Sequence, residues 1–182
     1  MTTTADAVVS ALPPTPPVTE ASSSSPIARR WMWGFLLAFL VHDGEEALSI
    51  IRSGGLQALG RWETPAQSLA GVTLELTLGW VLLLFAAHAA RPNWATWSFA
   101  VLIGGWTVHG LVHLGSGILA SGYTLGVVTA VPACVVYGAV TLQRMVADQL
   151  LSRRAGALCL IAGAPGAALL IVAAHLFGRL VA

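Results

Sequence analysis

A histidine and two carboxylates near residue 45 have the spacing of one helix face. His42, Glu45 and Glu46 stand at positions i, i+3 and i+4, so their side chains project from the same side of a helix. Imidazole and carboxylate groups together are ligands for iron, manganese or zinc, and a carboxylate that is free of the metal can act as a general base. We predict that all three residues bind metal and that Glu45 or Glu46 is catalytic, whereas Asp43 should point elsewhere.

Two more histidines and a glutamate lie inside later apolar segments. His109 and His113 form an i, i+4 pair, a spacing that lets two imidazole rings reach one ion. Glu75 lies between two leucines deep in an apolar segment. Ionisable groups at membrane depth are costly and commonly mark a functional site. Two alternatives remain open: a protonated, hydrogen-bonded Glu75 carboxyl, and a histidine pair that only bridges helices by hydrogen bonds.

The expected depths of these residues in a bilayer nearly coincide. At a rise of about 1.5 Å per residue, Glu46 and His109 each lie about 22 Å from the inner end of their segments. Glu75 enters from the opposite side and lies about 10 Å below the outer surface. In a hydrocarbon layer about 30 Å thick these heights match. We therefore predict one metal site formed by six residues: His42, Glu45, Glu46, Glu75, His109 and His113.

This predicted site has no basic partner. The nine basic residues are all arginine, and none falls at the same depth. Buried carboxylates must then take up a proton, reach water or bind a cation, because an unpaired buried charge is very costly. Glu and Glu-x-x-His ligands inside helical bundles are typical of di-iron proteins. We predict one or two divalent metal ions, with iron favoured and zinc or manganese as alternatives.

The composition predicts the elements that position the site. Of the 182 residues, 56% are hydrophobic and 9% are charged, against about 25% charged in a typical soluble domain. The mean hydropathy is +0.77. These values exclude a water-soluble enzyme, and a net charge of +1 without a basic cluster excludes nucleic-acid binding. We expect a multi-pass protein integral to the cell (cytoplasmic) membrane.

Five apolar segments are long enough to cross a bilayer, which takes about 20 helical residues. We predict an all-α, polytopic membrane helix bundle of about five transmembrane helices. The first segment contains the polar residues 42–46, so an alternative ends that span at Val41. Six arginines on one side against three on the other predict an N-terminus inside the cell. The segments cover approximately residues 31–51, 68–90, 94–120, 123–146 and 157–178.

Residues 1–28 differ in composition from the rest of the chain. They are rich in Pro, Ser and Thr and cannot bury enough apolar surface to offset the entropy lost on ordering. We predict that this stretch is a disordered tail and that residues 29–182 form the transmembrane helical domain.

The run His42-Asp43-Gly44-Glu45-Glu46 resembles the motif of the HXXEE-domain family of small bacterial integral membrane proteins. That family also shows a later histidine, which would be His109 or His113 here, and a Tyr-x-Pro-Gly motif. The run Tyr123-Thr124-Leu125-Gly126 is similar to the second motif, with Leu125 in the place of proline. The resemblance covers approximately residues 31–145. It implies a functional site at these residues, but the family has no established activity and so implies no reaction.

The residues favour a membrane-embedded metal-dependent enzyme, with a (di)iron oxidoreductase as the leading interpretation. Its substrate would be an apolar or amphiphilic small molecule that enters from the membrane. A metal-dependent membrane hydrolase is one alternative, and a non-enzymatic proton- or metal-binding carrier is another, because buried carboxylates and histidines also form proton relays. Membrane lipid and a soluble redox or pathway partner are the expected partners. Participation of Tyr123–Gly126, Tyr137 and His175 in the site stays open.

Overall fold

The computed structural model describes residues 26–89 and 92–182, so residues 1–25 of the predicted tail lie outside the described part. A short antiparallel hairpin, β1 (Leu56–Ala58) and β2 (Arg61–Glu63), joins the first two helices, and Gln57 pairs with Trp62 in it. The all-α prediction with five helices is confirmed for these residues. The helices are α1 (Pro26–Ser53), α2 (Pro65–His88), α3 (Trp94–Leu119), α4 (Val127–Ala147) and α5 (Arg153–Val181).

Four of the helices, α2 to α5, are long and apolar enough to cross a membrane. Helix α1 has 28 residues, which is also enough length for a span, but it carries the arginine pair and the acidic motif. It continues without a break through residues 42–46, so the first helix does not end at Val41. Large apolar side chains such as Leu37, Ile161 and Leu169 are more than two-thirds exposed, as expected where a surface faces lipid. The chain is therefore a multi-pass membrane protein.

Glycines allow α5 to pack directly against α3 and α2. A β-carbon on Gly104 would stand 2.2 Å from the carbonyl oxygen of Cys159, and one on Gly163 would stand 2.2 Å from the backbone nitrogen of Gly105. On the α2 side, a β-carbon on Gly178 would stand 2.0 Å from the carbonyl oxygen of Gln67. Small residues at such contacts are the usual means of close helix packing in membranes. Helix α1 packs against α2 and α4 and completes the bundle.

Helix α4 contains a π-helical segment in its first half. The segment spans Ala130–Val136 and includes Pro132, which has no N–H to donate to an α-helical hydrogen bond. Trp106 of α3 donates its indole N–H to the carbonyl oxygen of Ala133 at 3.0 Å. An irregular carbonyl is thus satisfied by a side chain from the neighbouring helix. Such π-bulges are frequent at functional sites, and this one follows Thr129 directly.

A buried ion pair fastens the hairpin to α5. Glu63 is fully buried and lies 2.7 Å from His175 Nδ1 and 2.7 Å from Arg179 Nε. Arg179 also donates to the carbonyl oxygen of Ala58 at 2.6 Å. The hairpin therefore closes one end of the bundle through specific contacts with α5.

Candidate metal centre

Two helices bring four potential metal ligands together. Helix α1 supplies His42 and Glu46, and α3 supplies His109 and His113. One nitrogen or oxygen atom from each residue lies within 4.8 Å of the corresponding atoms of the other three. We call these four residues the tetrad. Its members are buried or half-buried, and a group of this kind could hold a metal ion. The structure thus brings together four of the six residues predicted to form one metal site.

The closest approach within the tetrad is between groups that carry lone pairs. His113 Nε2 lies 3.0 Å from Glu46 Oε1 and 3.0 Å from His109 Nε2. His42 Nε2 lies 3.8 Å from the same oxygen of Glu46 and has no hydrogen-bond partner among the described residues. A buried nitrogen without a partner is costly. A cation between these atoms would satisfy all four at once.

The turn before α4 sets the tautomer of His113. Nδ1 of His113 contacts the carbonyl oxygen of Leu125, and a carbonyl can only accept a hydrogen bond. Nδ1 therefore carries the proton, and in the neutral ring Nε2 is left with a lone pair that points to Glu46 and His109. A backbone carbonyl on the distal ring nitrogen is a common way to orient a metal-binding histidine.

A chain of hydrogen bonds sets the tautomer of His42 in the same way. The Thr129 hydroxyl donates to Glu45 Oε2 at 2.6 Å, so its oxygen accepts from His42 Nδ1 at 2.9 Å. Glu45 Oε2 also accepts from the Thr129 backbone N–H at 2.9 Å. The proton of the neutral His42 ring thus lies on Nδ1, and Nε2 is free to bind a metal. Glu45 and Thr129 orient His42 without reaching the tetrad themselves.

Gly126 allows the turn to close over the site. Its φ is +70°, a conformation that favours glycine. A β-carbon at this position would stand 2.7 Å from His42 Cε1 and 2.8 Å from Glu46 Oε1. The run Tyr123-Thr124-Leu125-Gly126 therefore contributes a backbone carbonyl and a glycine. Because the carbonyl of Leu125 makes the contact with His113, leucine can replace the proline of the related motif without loss of that contact.

Aromatic rings cover the tetrad from the direction of the first half of α1. The ring of Trp106 packs edge-on to His42 and stacks near His109, with centroid separations of 5.3 and 5.8 Å. Phe39 stacks on the other side of Trp106, and Phe35 packs against both. These apolar groups exclude water from one side of the site, which strengthens electrostatic interactions within it.

The structure separates the remaining predicted ligands from the tetrad. Glu45 faces Thr129 and the start of α4, where it also accepts from the Val128 N–H at 3.3 Å. Glu75 lies outside the tetrad but lines the cavity next to it. Asp43, which we expected to point elsewhere, is 6% exposed and lines that same cavity with Glu46. Direct ligation by Glu45 and Glu75 stays a prediction.

Two cavities adjoin the tetrad and share Glu75 and His109 in their walls. The first, which we call the apolar cavity, has a volume of about 180 Å³ and lies between α3 and α5. The second, the polar cavity, has a volume of about 200 Å³ and reaches toward the hairpin. It is lined by the carboxylates of Asp43, Glu46 and Glu75. The site therefore has an apolar and a polar neighbouring space.

Two other candidate residues have different surroundings. The Tyr137 hydroxyl donates to the backbone carbonyl of Trp31, away from the tetrad. His175 lines the far part of the polar cavity but is bound to Glu63. Sequence reasoning missed Thr129 and Leu125, whose contacts with the site span long sequence separations. A hydroxyl residue at the start of a helix is too common to have identified Thr129.

The fold and the site define a class: a multi-pass membrane protein with a candidate metal centre of three histidines and one glutamate. Within that class, residues 33–141 match the model of a family described as protein of unknown function with HXXEE motif. This match covers more than half of the chain, and the protein belongs to that family. No curated protein and no solved structure is significantly similar to the chain.

Proposed function

We propose that this protein is a membrane-embedded, metal-dependent oxidoreductase whose metal ion is held by the tetrad. The observation that carries the proposal is the convergence of four ligand atoms within 4.8 Å of one another. Two of the histidines are further fixed so that their Nε2 atoms have no proton of their own. Three imidazoles and one carboxylate suit iron, manganese or zinc. Iron is our choice because further carboxylates, Asp43 and Glu75, lie next to the tetrad.

The apolar cavity is the proposed substrate site. Apolar side chains such as Phe39, Val101 and Leu170 line most of it, whereas Glu75 and His109 provide polar groups on its wall. A mostly apolar lining with a few polar groups is typical of small-molecule sites. The cavity fits a small apolar molecule, or the apolar part of an amphiphile, that arrives from the lipid.

The proposed reaction is oxidation of this substrate by O2. Bound iron supplies the activation of O2. One oxygen atom enters a C–H bond of the substrate as a hydroxyl group, and the other leaves as water. The two electrons and two protons that this balance requires come from a reduced soluble partner. Trp106 and Phe39 keep water from the reacting carbon, and Glu75, outside the tetrad, lines both cavities next to it.

The metal content of the purified protein tests the proposal. We expect iron in the wild type and its loss in His109→Ala and Glu46→Gln. The control is His88→Ala, because His88 is exposed and, within the described residues, its ring contacts the Leu84 carbonyl and the Trp33 ring, outside the tetrad. Wild-type protein that binds no iron, manganese or zinc after reconstitution would overturn the metal site.

A second measurement separates oxidation from hydrolysis. The iron-loaded protein, reduced chemically under nitrogen, should be reoxidised when O2 is admitted, as followed by its electron paramagnetic resonance. The oxidoreductase proposal would be overturned if the protein bound zinc in place of iron, or if its iron did not react with O2. Either result would favour a metal-dependent hydrolase or a metal-binding carrier.

A further inference from the structure

The polar cavity beside the tetrad brings together carboxylates from two helices. Asp43 and Glu46 come from α1, and Glu75 comes from α2. Asp43 precedes Glu46 by three residues, and this spacing places both on adjoining parts of one helix face. With a volume of about 200 Å³, the cavity has room for an ion and several water molecules, since one water occupies about 30 Å³ in the liquid.

Asp43 is a buried acid with one carboxylate oxygen that the described residues do not satisfy. The residue is 6% exposed, and its Oδ2 atom has no hydrogen-bond partner in the described part of the chain. Leaving such a group buried and unpaired is costly, even when it is uncharged. Because Asp43 lies on the cavity wall, a group in the cavity can satisfy it.

Glu75 lacks a protein partner as well. Within residues 26–89 and 92–182 it forms neither a hydrogen bond nor an ion pair. Arg179 does not neutralise Glu75, because it is bound to Glu63 and to the Ala58 carbonyl. None of the ion pairs of the described residues joins an arginine to Asp43, Glu46 or Glu75. A metal in the tetrad would neutralise Glu46, whereas Asp43 and Glu75 are not members of that group.

We propose that Asp43 and Glu75 hold a second divalent cation in the polar cavity, next to the metal of the tetrad. This inference rests on the proposed function and extends it from one ion to two. The ligands of the second ion are carboxylate oxygens and water, which suits a hard cation such as Mn²⁺ or Fe²⁺ better than Cu⁺ or Zn²⁺. Glu46 belongs to the tetrad and also lines the polar cavity, so it is placed to contact both ions.

The charge of the site agrees with two ions. Asp43, Glu46 and Glu75 contribute three negative charges when ionised, and the neutral histidines contribute none. One divalent ion leaves the site negative, whereas two divalent ions with one hydroxide leave it neutral. Neutrality is favoured because isolated charge in an apolar surrounding is costly.

Manganese stoichiometry tests this proposal. Metal-free protein is loaded with Mn²⁺ in detergent, freed of excess metal, and analysed by mass spectrometry and by electron paramagnetic resonance. We expect two ions per chain and the spectrum of an exchange-coupled pair in the wild type. Asp43→Asn and Glu75→Gln should each hold one ion and show the spectrum of isolated Mn²⁺. Asp148→Asn is the matched control, because its Oδ2 is also buried and unpaired but lies far from the site at the end of α4.

The outcomes separate the two proposals. One ion in the wild type, or two coupled ions retained in both variants, would overturn the second site and leave the tetrad intact. No bound Mn²⁺ in the wild type, together with no bound iron or zinc, would overturn the tetrad itself. Because the asparagine and glutamine replacements preserve side-chain size, retention of the single tetrad ion also shows that each variant is folded.

Discussion

Gly126 lies so close to His42 that a β-carbon on the glycine would stand 2.7 Å from the Cε1 atom of the imidazole ring. The glycine comes from the turn between α3 and α4, and the histidine comes from the middle of α1. The turn thus seals the proposed metal centre by backbone contact, and any larger residue at position 126 must displace a ligand.

Gly126→Ala should weaken metal binding by at least tenfold. The added methyl group overlaps both His42 and Glu46, and alanine at a φ of +70° also costs about 1–2 kcal/mol. Gly122→Ala in the same turn is the control, because its β-carbon would meet nothing closer than 3.8 Å. Metal titration of both variants checks this expectation. Equal affinity in the two would show that the turn does not shape the site.

Thr129→Val should weaken metal binding by about 10–100-fold, the usual effect of removing a group that orients a ligand. The valine cannot accept from His42 Nδ1 or donate to Glu45, so the imidazole loses its fixed orientation. Thr129→Ser keeps the hydroxyl and should restore most of the affinity. Thr73→Val serves as control, since that exposed hydroxyl only donates to the carbonyl of Leu69. If Thr129→Val binds metal as tightly as the control does, Thr129 and Glu45 do not orient His42 for metal binding.

Glu63→Gln should destabilise the protein by about 3 kcal/mol without removing the metal. Breaking a buried ion pair costs about 3–5 kcal/mol, and the lower end applies because Arg179 and His175 keep some exposure. Arg61→Gln changes an exposed charge of the same hairpin and should have little effect. Thermal unfolding in detergent measures the stability, and metal analysis measures the site. Metal loss in Glu63→Gln at a temperature where it remains folded would mean that this ion pair belongs to the metal centre.

Gly166→Leu should fill the apolar cavity and leave the tetrad unchanged. The nearest neighbour of a β-carbon at residue 166 is Val101 Cγ1 at 3.7 Å, so the side chain can enter without a backbone clash. We expect at least tenfold weaker binding of a small hydrocarbon probe, with normal metal content. The control is Gly44→Leu, whose added β-carbon meets nothing within 4 Å. Undiminished probe binding in Gly166→Leu would place the substrate elsewhere.

The arginine distribution predicts the orientation of the bundle, and labelling tests that prediction. With the N-terminus inside, the hairpin lies outside and the end of α4 lies inside. A membrane-impermeant maleimide should label Gln57→Cys in intact cells and Ala147→Cys only after permeabilisation; the native Cys134 and Cys159 are buried. The reverse pattern would show that the chain inserts with its N-terminus outside.

Sequence periodicity and depth predicted much of the site because both are properties of single helices. The apolar runs predicted the helices, and the equal expected depths predicted that His42 and Glu46 of α1 lie near the histidine pair of α3. Periodicity and depth did not predict which of the acids Asp43 and Glu45 would line the polar cavity and which would contact α4. On a helix at 100° per residue, Glu45 and Asp43 flank the His42–Glu46 face on opposite sides, and only the packing decides which of them meets the cavity.

The contacts that orient the ligands depend on tertiary structure alone. Thr129 lies 87 positions from His42 in sequence, and the group that meets His113 is a backbone carbonyl. A carbonyl is present at every residue, so no residue type marks it. The same applies to Gly126, whose importance follows from a close approach that the sequence does not show.

The π-helical segment of α4 sets how Thr129, before the segment, is oriented relative to Tyr137, after it. Its wider turns change the phase between the residues before and after it, so that Thr129 faces His42 while Tyr137 contacts the start of α1. If the same residues formed a regular α-helix instead, Thr129 would turn about the helix axis relative to Tyr137. Such a chain would keep α4 as a long apolar helix and lose the contact that orients His42, a proposed metal ligand. A regular α-helix here would therefore disturb the proposed metal site. This gives a reason for the seven-residue π-helical segment to be retained.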